Sequence, residues 1–270
     1  MAAQIGIRGW VWGLGILAAC AGCSKQQRLE TVPPPPPSDG VALLNRMRDA
    51  YLEKWFKTVT FVQRTITIRP NAAPDTAIWY EALLTPDRLR IDFASPQSGN
   101  GVLYTADSLY VVRGGAVVRT VASGNPFLPF VAGVYAQPMA TTLKQLEPYK
   151  FDLNRLRADT FQGRPVWVVG TTVRSDTTSP QFWVDQERLV AVRMIAAFNP
   201  AAPADIADVW LMDYRPVEGG WLAVKVDIKH GETVQREEYS DWRGNVDLPR
   251  EFFDAEKWST VAHWHSSPRP

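Results

Sequence analysis

Few of the side chains that could do chemistry in this 270-residue chain stand in a working pattern. It has three histidines, two cysteines and 28 carboxylates. His263 and His265 have the H-x-H spacing of a metal-ligating pair, but AHWHSSPRP brings no cysteine or acidic cluster to them, so a solvated tail is the expectation. His230 precedes Gly231 at an expected hairpin turn. Glu237 and Glu238 are adjacent, and neighbours along a strand face opposite ways, so they cannot share a substrate. Asp205, Asp208 and Asp213 have uneven parity and are expected on a solvent face. No Gly-rich phosphate loop, G-x-S-x-G elbow or H-E-x-x-H helix occurs. With no nucleophile, base and orienter in register, the expectation is a non-enzyme without metal or cofactor. The net charge of +1 argues against nucleic acid as a partner, because phosphate binding needs a basic surplus.

The cysteines have a different use. Residues 1–19 read as a secretory signal: Arg8 gives the positive start, Gly9 to Leu17 an uncharged apolar run, and small residues follow. That run is too short for a stable transmembrane helix, the weaker reading. Leu17-Ala18-Ala19-Cys20 looks like the lipobox of bacterial lipoproteins, which implies acylation of Cys20 and cleavage before it. Cys23 is a second candidate, with Cys20 in the position where Leu is usual; a Cys20–Cys23 redox pair is a third reading, but such a motif should open a helix in a folded domain. No cysteine follows, so the folded part holds no disulfide. Residues 20–40 then read as lipidated cysteine and tether. Pro33 to Pro37 favour polyproline II, and the segment could hold a domain up to roughly 50 Å from a membrane.

The positioning elements begin after Ser38-Asp39, which can cap a helix starting near Val41. Leu44, Met47, Tyr51 and Trp55 make one apolar stripe along it. Strand after strand follows: TVTFVQRTITIR from Thr58, then Ala77 to Leu84, RLRIDF, VLYTAD, SLYVVR, the Gly114-Gly115 hairpin and AVVRTV. More strands run from RPVWVV at Arg164 to Trp242, and in 221–229 Leu222, Val224, Val226 and Ile228 alternate with Ala223, Lys225, Asp227 and Lys229. Between the two sets, Asn125 to Leu156 is apolar but broken by Pro126, Pro129, Pro138 and Pro148, so short helices packing across the sheet are expected. The fold class is α+β, mainly β: an antiparallel sheet of about eleven strands, too many to stay flat. It occupies 41–257 without a visible domain boundary, and 258–270 is expected as a flexible tail.

One helix, meandering strands, a helical insertion and returning strands resemble the periplasmic lipoprotein carrier and outer-membrane lipoprotein receptor (LolA/LolB-like) superfamily. Local phrases look alike too: GRPVWVVG at 163–170, QFWVD at 181–185, RLV at 188–190, YRPV at 214–217 before GGWL at 219–222, and NVDLP at 245–249 before Phe252-Phe253. The resemblance spans about 41–255. It implies a strongly curved half-barrel, helices lidding its concave face, and acyl chains held between them. The receptor's exposed apolar loop has no counterpart in Ala94 to Gly101 (ASPQSGNG), which is polar, so a membrane-delivery role would need another loop such as Asn125 to Phe130.

Eleven Trp, eleven Phe and eight Tyr supply the apolar surface such a cavity needs. The expected hydrophobic ligand-binding residues are Phe61, Trp79, Phe93, Tyr104, Tyr110, Trp167, Trp183 and Trp210 on the sheet, with Phe127, Leu128, Phe130 and Val134 in the lid. Each is, by default, ordinary core. The expected partners are the membrane through the lipid anchor, acyl chains of lipids or lipoproteins, and envelope proteins. The expected site is the outer membrane facing the periplasm, because Ala21, not Asp, follows Cys20. The alternative is an anchored scaffold or sensor lipoprotein recognising a protein partner without lipid transfer. A vacant apolar pocket separates the two.

Overall fold

A computed structural model describes residues 35–199 and 202–266. The chain divides into a segment Met1–Pro36 and a body Pro37–Pro270. The expected signal, Cys20, Cys23 and most of the expected tether lie outside the described residues, as do 267–270. The body opens with helix α1, Gly40–Tyr51, capped as its sequence predicts: the Asp39 carboxylate accepts from the Ala42 N–H at 2.8 Å. Such a cap satisfies an orphan donor and contributes about 1 kcal/mol. Leu44, Met47 and Trp55 of the apolar stripe are buried.

Thirteen strands follow, in one antiparallel sheet that stays open. They are β1 (Thr58–Ile68), β2 (Asp75–Leu84), β3 (Arg88–Phe93), β4 (Gly101–Tyr104), β5 (Leu109–Arg113), β6 (Ala116–Val121), β7 (Leu156–Phe161), β8 (Arg164–Val169), β9 (Gln181–Asp185), β10 (Ala191–Ala197), β11 (Ile206–Val217), β12 (Gly220–His230) and β13 (Thr233–Gly244). Their order, β6-β5-β4-β3-β2-β1-β13-β12-β11-β10-β9-β8-β7, is two meanders joined where β1 pairs with β13. So long a twisted sheet curls, and the result is a strongly curved half-barrel.

This topology explains the helical insertion. β6 and β7 are the two edges, so the chain must pass from one extremity of the sheet to the other. It does so as a π-helical turn Pro129–Gly133, a single turn α2 (Val134–Ala136), α3 (Met139–Leu146) and a 3-10 turn Glu147–Tyr149. Pro129 opens the first piece, Pro138 precedes α3, and Pro148 is the second residue of the 3-10 turn. Together with α1 they cover the inner face. The strand absent from the sequence reading is β7, whose LRADTF carries Arg157 and Asp159 and has no continuous apolar run.

Of the segment 258–270 expected as a flexible tail, 258–266 is packed on the sheet, and 267–270 lies outside the described residues. Residues 248–266 strap the outer face of β2–β5, where Phe252, Phe253 and Trp258 bury against Ala82, Leu103 and Val112. Beneath the strap Arg90 and Asp92, 2% and 1% exposed, form an ion pair at 2.8 Å. The guanidinium lies between the rings of Phe252 and Trp258 at 4.1 and 3.8 Å and donates to their carbonyls. His263, read from sequence as solvated, is 8% exposed; its Nδ1 accepts from the His265 N–H and its Nε2 meets Asp92 at 3.1 Å. Two aromatics and a histidine in a short proline-ended segment had a burial value that its polar neighbours masked.

Candidate functional site

On the half of the sheet from β7 to β12, the inner face is filled by the protein itself. Phe182 of β9 is fully buried, with Phe130 of the lid 4.9 Å and Phe151 5.3 Å from its ring. Tyr135 stacks on Trp55 at 3.7 Å, and its hydroxyl donates to the Leu189 carbonyl at 3.1 Å. Tyr51 donates to the Arg188 carbonyl at 2.5 Å and accepts from the Trp221 indole at 2.9 Å. These contacts close the helices down on the sheet.

At the β5–β6 edge a space is left between sheet and lid. Between the inner face of β5–β6 and the helical segment is an open cavity of about 950 Å³, near the upper end of the range usual for small-molecule sites. Leu109, Val111 and Val121 form its sheet wall, Leu128 and Pro129 its lid wall, with Phe198 nearby. The register brings the first three together, since Leu109 pairs with Val121 and Val111 with Arg119. Tyr149 also lines the cavity, and burial pushes its hydroxyl up to about 12. Charged groups of both signs edge the cavity: Asp87, Asp107, Arg119 and Lys144.

Behind the Tyr149 side of this cavity the sheet carries a polar floor. Glu81 on β2 is 3% exposed and pushed well above the usual carboxylate range, first by burial and then by Glu237. Glu237 on β13 is raised by burial to about 7, although the Tyr239 hydroxyl donates to it at 2.9 Å. Burial thus favours the protonated form of both acids. Tyr104 stands beside them, and burial followed by Glu81 raises its pKa. Sequence reading missed this pair because it compared Glu237 with its neighbour Glu238. The available signal was parity: Glu81 alternates in phase with Trp79 and Leu83, and Glu237 with Tyr239, so each acid was written into an inward row. The same applies to Arg119, in phase with Val121.

The predicted lining residues scatter. Phe61, Trp79, Phe93, Tyr104 and Trp167 lie on the inner face by register, and Phe127, Leu128, Phe130 and Val134 lie in the lid segment. Phe61, Phe130 and Val134 are packed core: Phe61 stacks on Tyr239 at 4.4 Å, and Val134 is fully buried. Trp79 leans on Phe93 at 5.2 Å. Of all these, Leu128 lines the cavity. Tyr110, Trp183 and Trp210 are corrections, since they point to the outer face. Tyr110 pairs with Leu103 under the C-terminal strap. Trp183 and Trp210 flank Arg193 in register, one step out of phase with inward Phe182 and Val209. Phe161 meets both indoles edge-on, and Trp210 is 37% exposed. Aromatic type alone carries no facing information; only the register does. Among the described residues no group of three His, Cys, Asp or Glu side chains could hold a metal ion.

No protein-family model matches the sequence, and no curated protein matches it. Solved structures match in shape. A DUF1329 family protein from Desulfovibrio piger superimposes with a TM-score of 0.55 at 14% identity, over 80% of this chain and 95% of that one. An outer-membrane lipoprotein-sorting type domain from Vibrio parahaemolyticus gives 0.56 at 15% identity, over 81% and 97%. A LolA superfamily protein from Nitrosomonas europaea gives 0.51 at 17% identity, over 78% and 96%. The likeness spans about four fifths of this chain and nearly all of each of the three, and the chain has the LolA/LolB-like fold.

Proposed function

We propose that this protein is an envelope lipoprotein that binds acyl chains of lipids or lipoproteins between sheet and lid, and acts in lipoprotein sorting or lipid transport. The observation that carries the reading is the cavity of about 950 Å³, walled by Leu109, Val111, Val121 and Leu128, in a fold shared with lipoprotein-sorting domains. Burying an alkyl chain there returns about 0.8 kcal/mol per methylene and asks for no directional chemistry. In this reading residues 1–19 are the signal, Cys20 carries the lipid, and 20–40 tether the body to the outer membrane on its periplasmic side. Multiple acyl chains on Cys20 make such attachment stable. The aromatic residues of the inner face shape the pocket around its aliphatic wall and do not themselves form most of the lining.

The test is displacement of an apolar fluorophore by fatty acids, with the melting temperature followed alongside, since a ligand that binds only the folded state raises it. Val111→Trp puts a bulky ring across the aliphatic wall and should weaken both effects with the fold intact. An unaltered response in that variant, or no response in the parent, removes the reading. Mass spectrometry of protein taken gently from its native membrane reports Cys20 acylation and any co-purifying lipid. A second reading, an anchored scaffold or sensor that recognises a protein partner, is favoured by the filled half from β7 to β12, which leaves no space for cargo under α1.

A further inference from the structure

The cavity has a patterned rim. Asp87 in the β2–β3 turn and Asp107 in the β4–β5 turn are at the same end of the meander, on neighbouring turns. Arg119 stands on the inner face of β6, one inward pair deeper than Val121, which places it about 7 Å along the strand from that end. Lys144 faces the same space from α3 of the lid. Four charged groups of opposite sign thus edge one cavity, yet among the described residues no ion pair joins the acids to the bases. Asp107 instead takes hydroxyl donors from its own turn, Ser108 at 3.0 Å and Thr105 at 3.4 Å. In register, the Leu109–Val121 pair lies between the Asp107 turn and the deeper Val111–Arg119 pair.

From this arrangement we infer that the cavity selects a zwitterionic amphiphile, a phosphoethanolamine-type headgroup on an alkyl tail. The inference rests on the acyl-binding reading and adds the headgroup to it. The tail lies against Leu109, Val111, Val121 and Leu128. The phosphate meets the guanidinium of Arg119 and the ammonium of Lys144, and the ligand's ammonium meets the carboxylates of Asp87 and Asp107. Charge-assisted hydrogen bonds of both polarities form without any group of the protein being left paired to the wrong sign. A purely anionic head would satisfy the basic pole and face two carboxylates. A neutral head would leave both poles to water.

Displacement of N-phenylnaphthylamine by single-chain amphiphiles of equal chain length tests this. Lysophosphatidylethanolamine should displace most tightly, lysophosphatidylglycerol about threefold to tenfold more weakly, and monoacylglycerol weakest, at the scale expected of solvent-exposed charge pairs. The double variant Arg119→Gln with Lys144→Gln should bring both phospholipids to the level of monoacylglycerol. The double variant Asp87→Asn with Asp107→Asn should erase the preference for the ethanolamine head and leave lysophosphatidylglycerol as tight or tighter. Circular dichroism and melting confirm that each variant is folded. Equal displacement by all three heads, or variants that weaken all three alike, overturns headgroup selection while acyl binding stands. Displacement by none of them overturns both.

Discussion

The two halves of the sheet use the same grammar to opposite ends. From β7 to β12 the inner rows are aliphatic and aromatic, and α1 and the lid fill them: Phe182, Met194, Val209 and Leu211 all bury against helices or neighbouring strands. From β1 to β6 the inner rows mix Gln63, Thr65 and Glu81 with aromatics, and a cavity remains under the lid at the β5–β6 edge. Their outer faces differ in the reverse sense. The β2–β5 half is sealed outside by a strap fixed on a buried ion pair, whereas the outer face near β7–β11 shows Trp210 to solvent. Apolar residues facing inward make a core where a helix reaches them and a container where it does not. The covering element, not the strand sequence, decides which.

The sharpest way to break this contrast is to hollow the filled half. Phe182→Ala should cost about 3–5 kcal/mol, because the site is closed by Phe130 and Phe151 and cannot collapse easily. Chemical denaturation measures it, and a loss under 1 kcal/mol would mean the β7–β12 half is not solid. Arg90→Ala on the other half should cost a comparable 3–5 kcal/mol for a different reason, since it leaves the Asp92 carboxylate buried with only His263 for company. In that variant limited proteolysis should cut within 248–266 first; cleavage unchanged from the parent would show that the strap does not depend on the ion pair.

The polar floor of the open half gives the next effect, in pH. Glu81 and Glu237 have folded-state values raised above the unfolded one, so the folded protein holds protons that the unfolded chain has released. Their stabilising contribution is complete below about pH 4.5 and is lost as pH rises through about 7 and beyond. For Glu237 alone the loss is about 3 kcal/mol by pH 8. The groups that face the pair are Tyr104, Tyr239 and Gln63, none of them cationic. Glu237→Gln should therefore flatten the stability profile between pH 5 and pH 8 and make the protein more stable than the parent at pH 8. An identical slope in the two proteins would place Glu237 in water.

Much of this architecture was legible beforehand. The cap at Asp39, the six strands of the first meander, the Gly114-Gly115 hairpin and the proline-broken insertion follow from local chemistry, because caps, period-two runs and proline act over a few residues. What local chemistry could not supply was facing and cover. Trp183 and Trp210 have the composition of cavity residues, but a pairing register with Arg193 turns them outward. The tail from Trp258 to Ser266 has the composition of a solvated end, yet it meets the outer face of strands more than 150 positions earlier, as in the Arg90–Trp258 contact. The charged rim was invisible for the same reason. Asp87, Asp107, Arg119 and Lys144 come from two turns, a strand and a helix, and only the path of the lid assembles them.

The smallest expected effect bears most directly on which face binds. Trp210 touches Phe161 edge-on at 5.3 Å and has the Arg193 guanidinium 5.6 Å above its ring, while over a third of it is exposed to solvent. Trp210→Ala should thus cost only about 1 kcal/mol in stability, the worth of one half-exposed aromatic contact and one cation–π contact. It should leave displacement of an apolar fluorophore unchanged. Tryptophan is the residue most readily assigned to a ligand by type, so the experiment sets type against register. Loss of ligand binding in this variant, with the Val111→Trp protein still competent, would move the site to the outer face and reverse the assignment of the two halves.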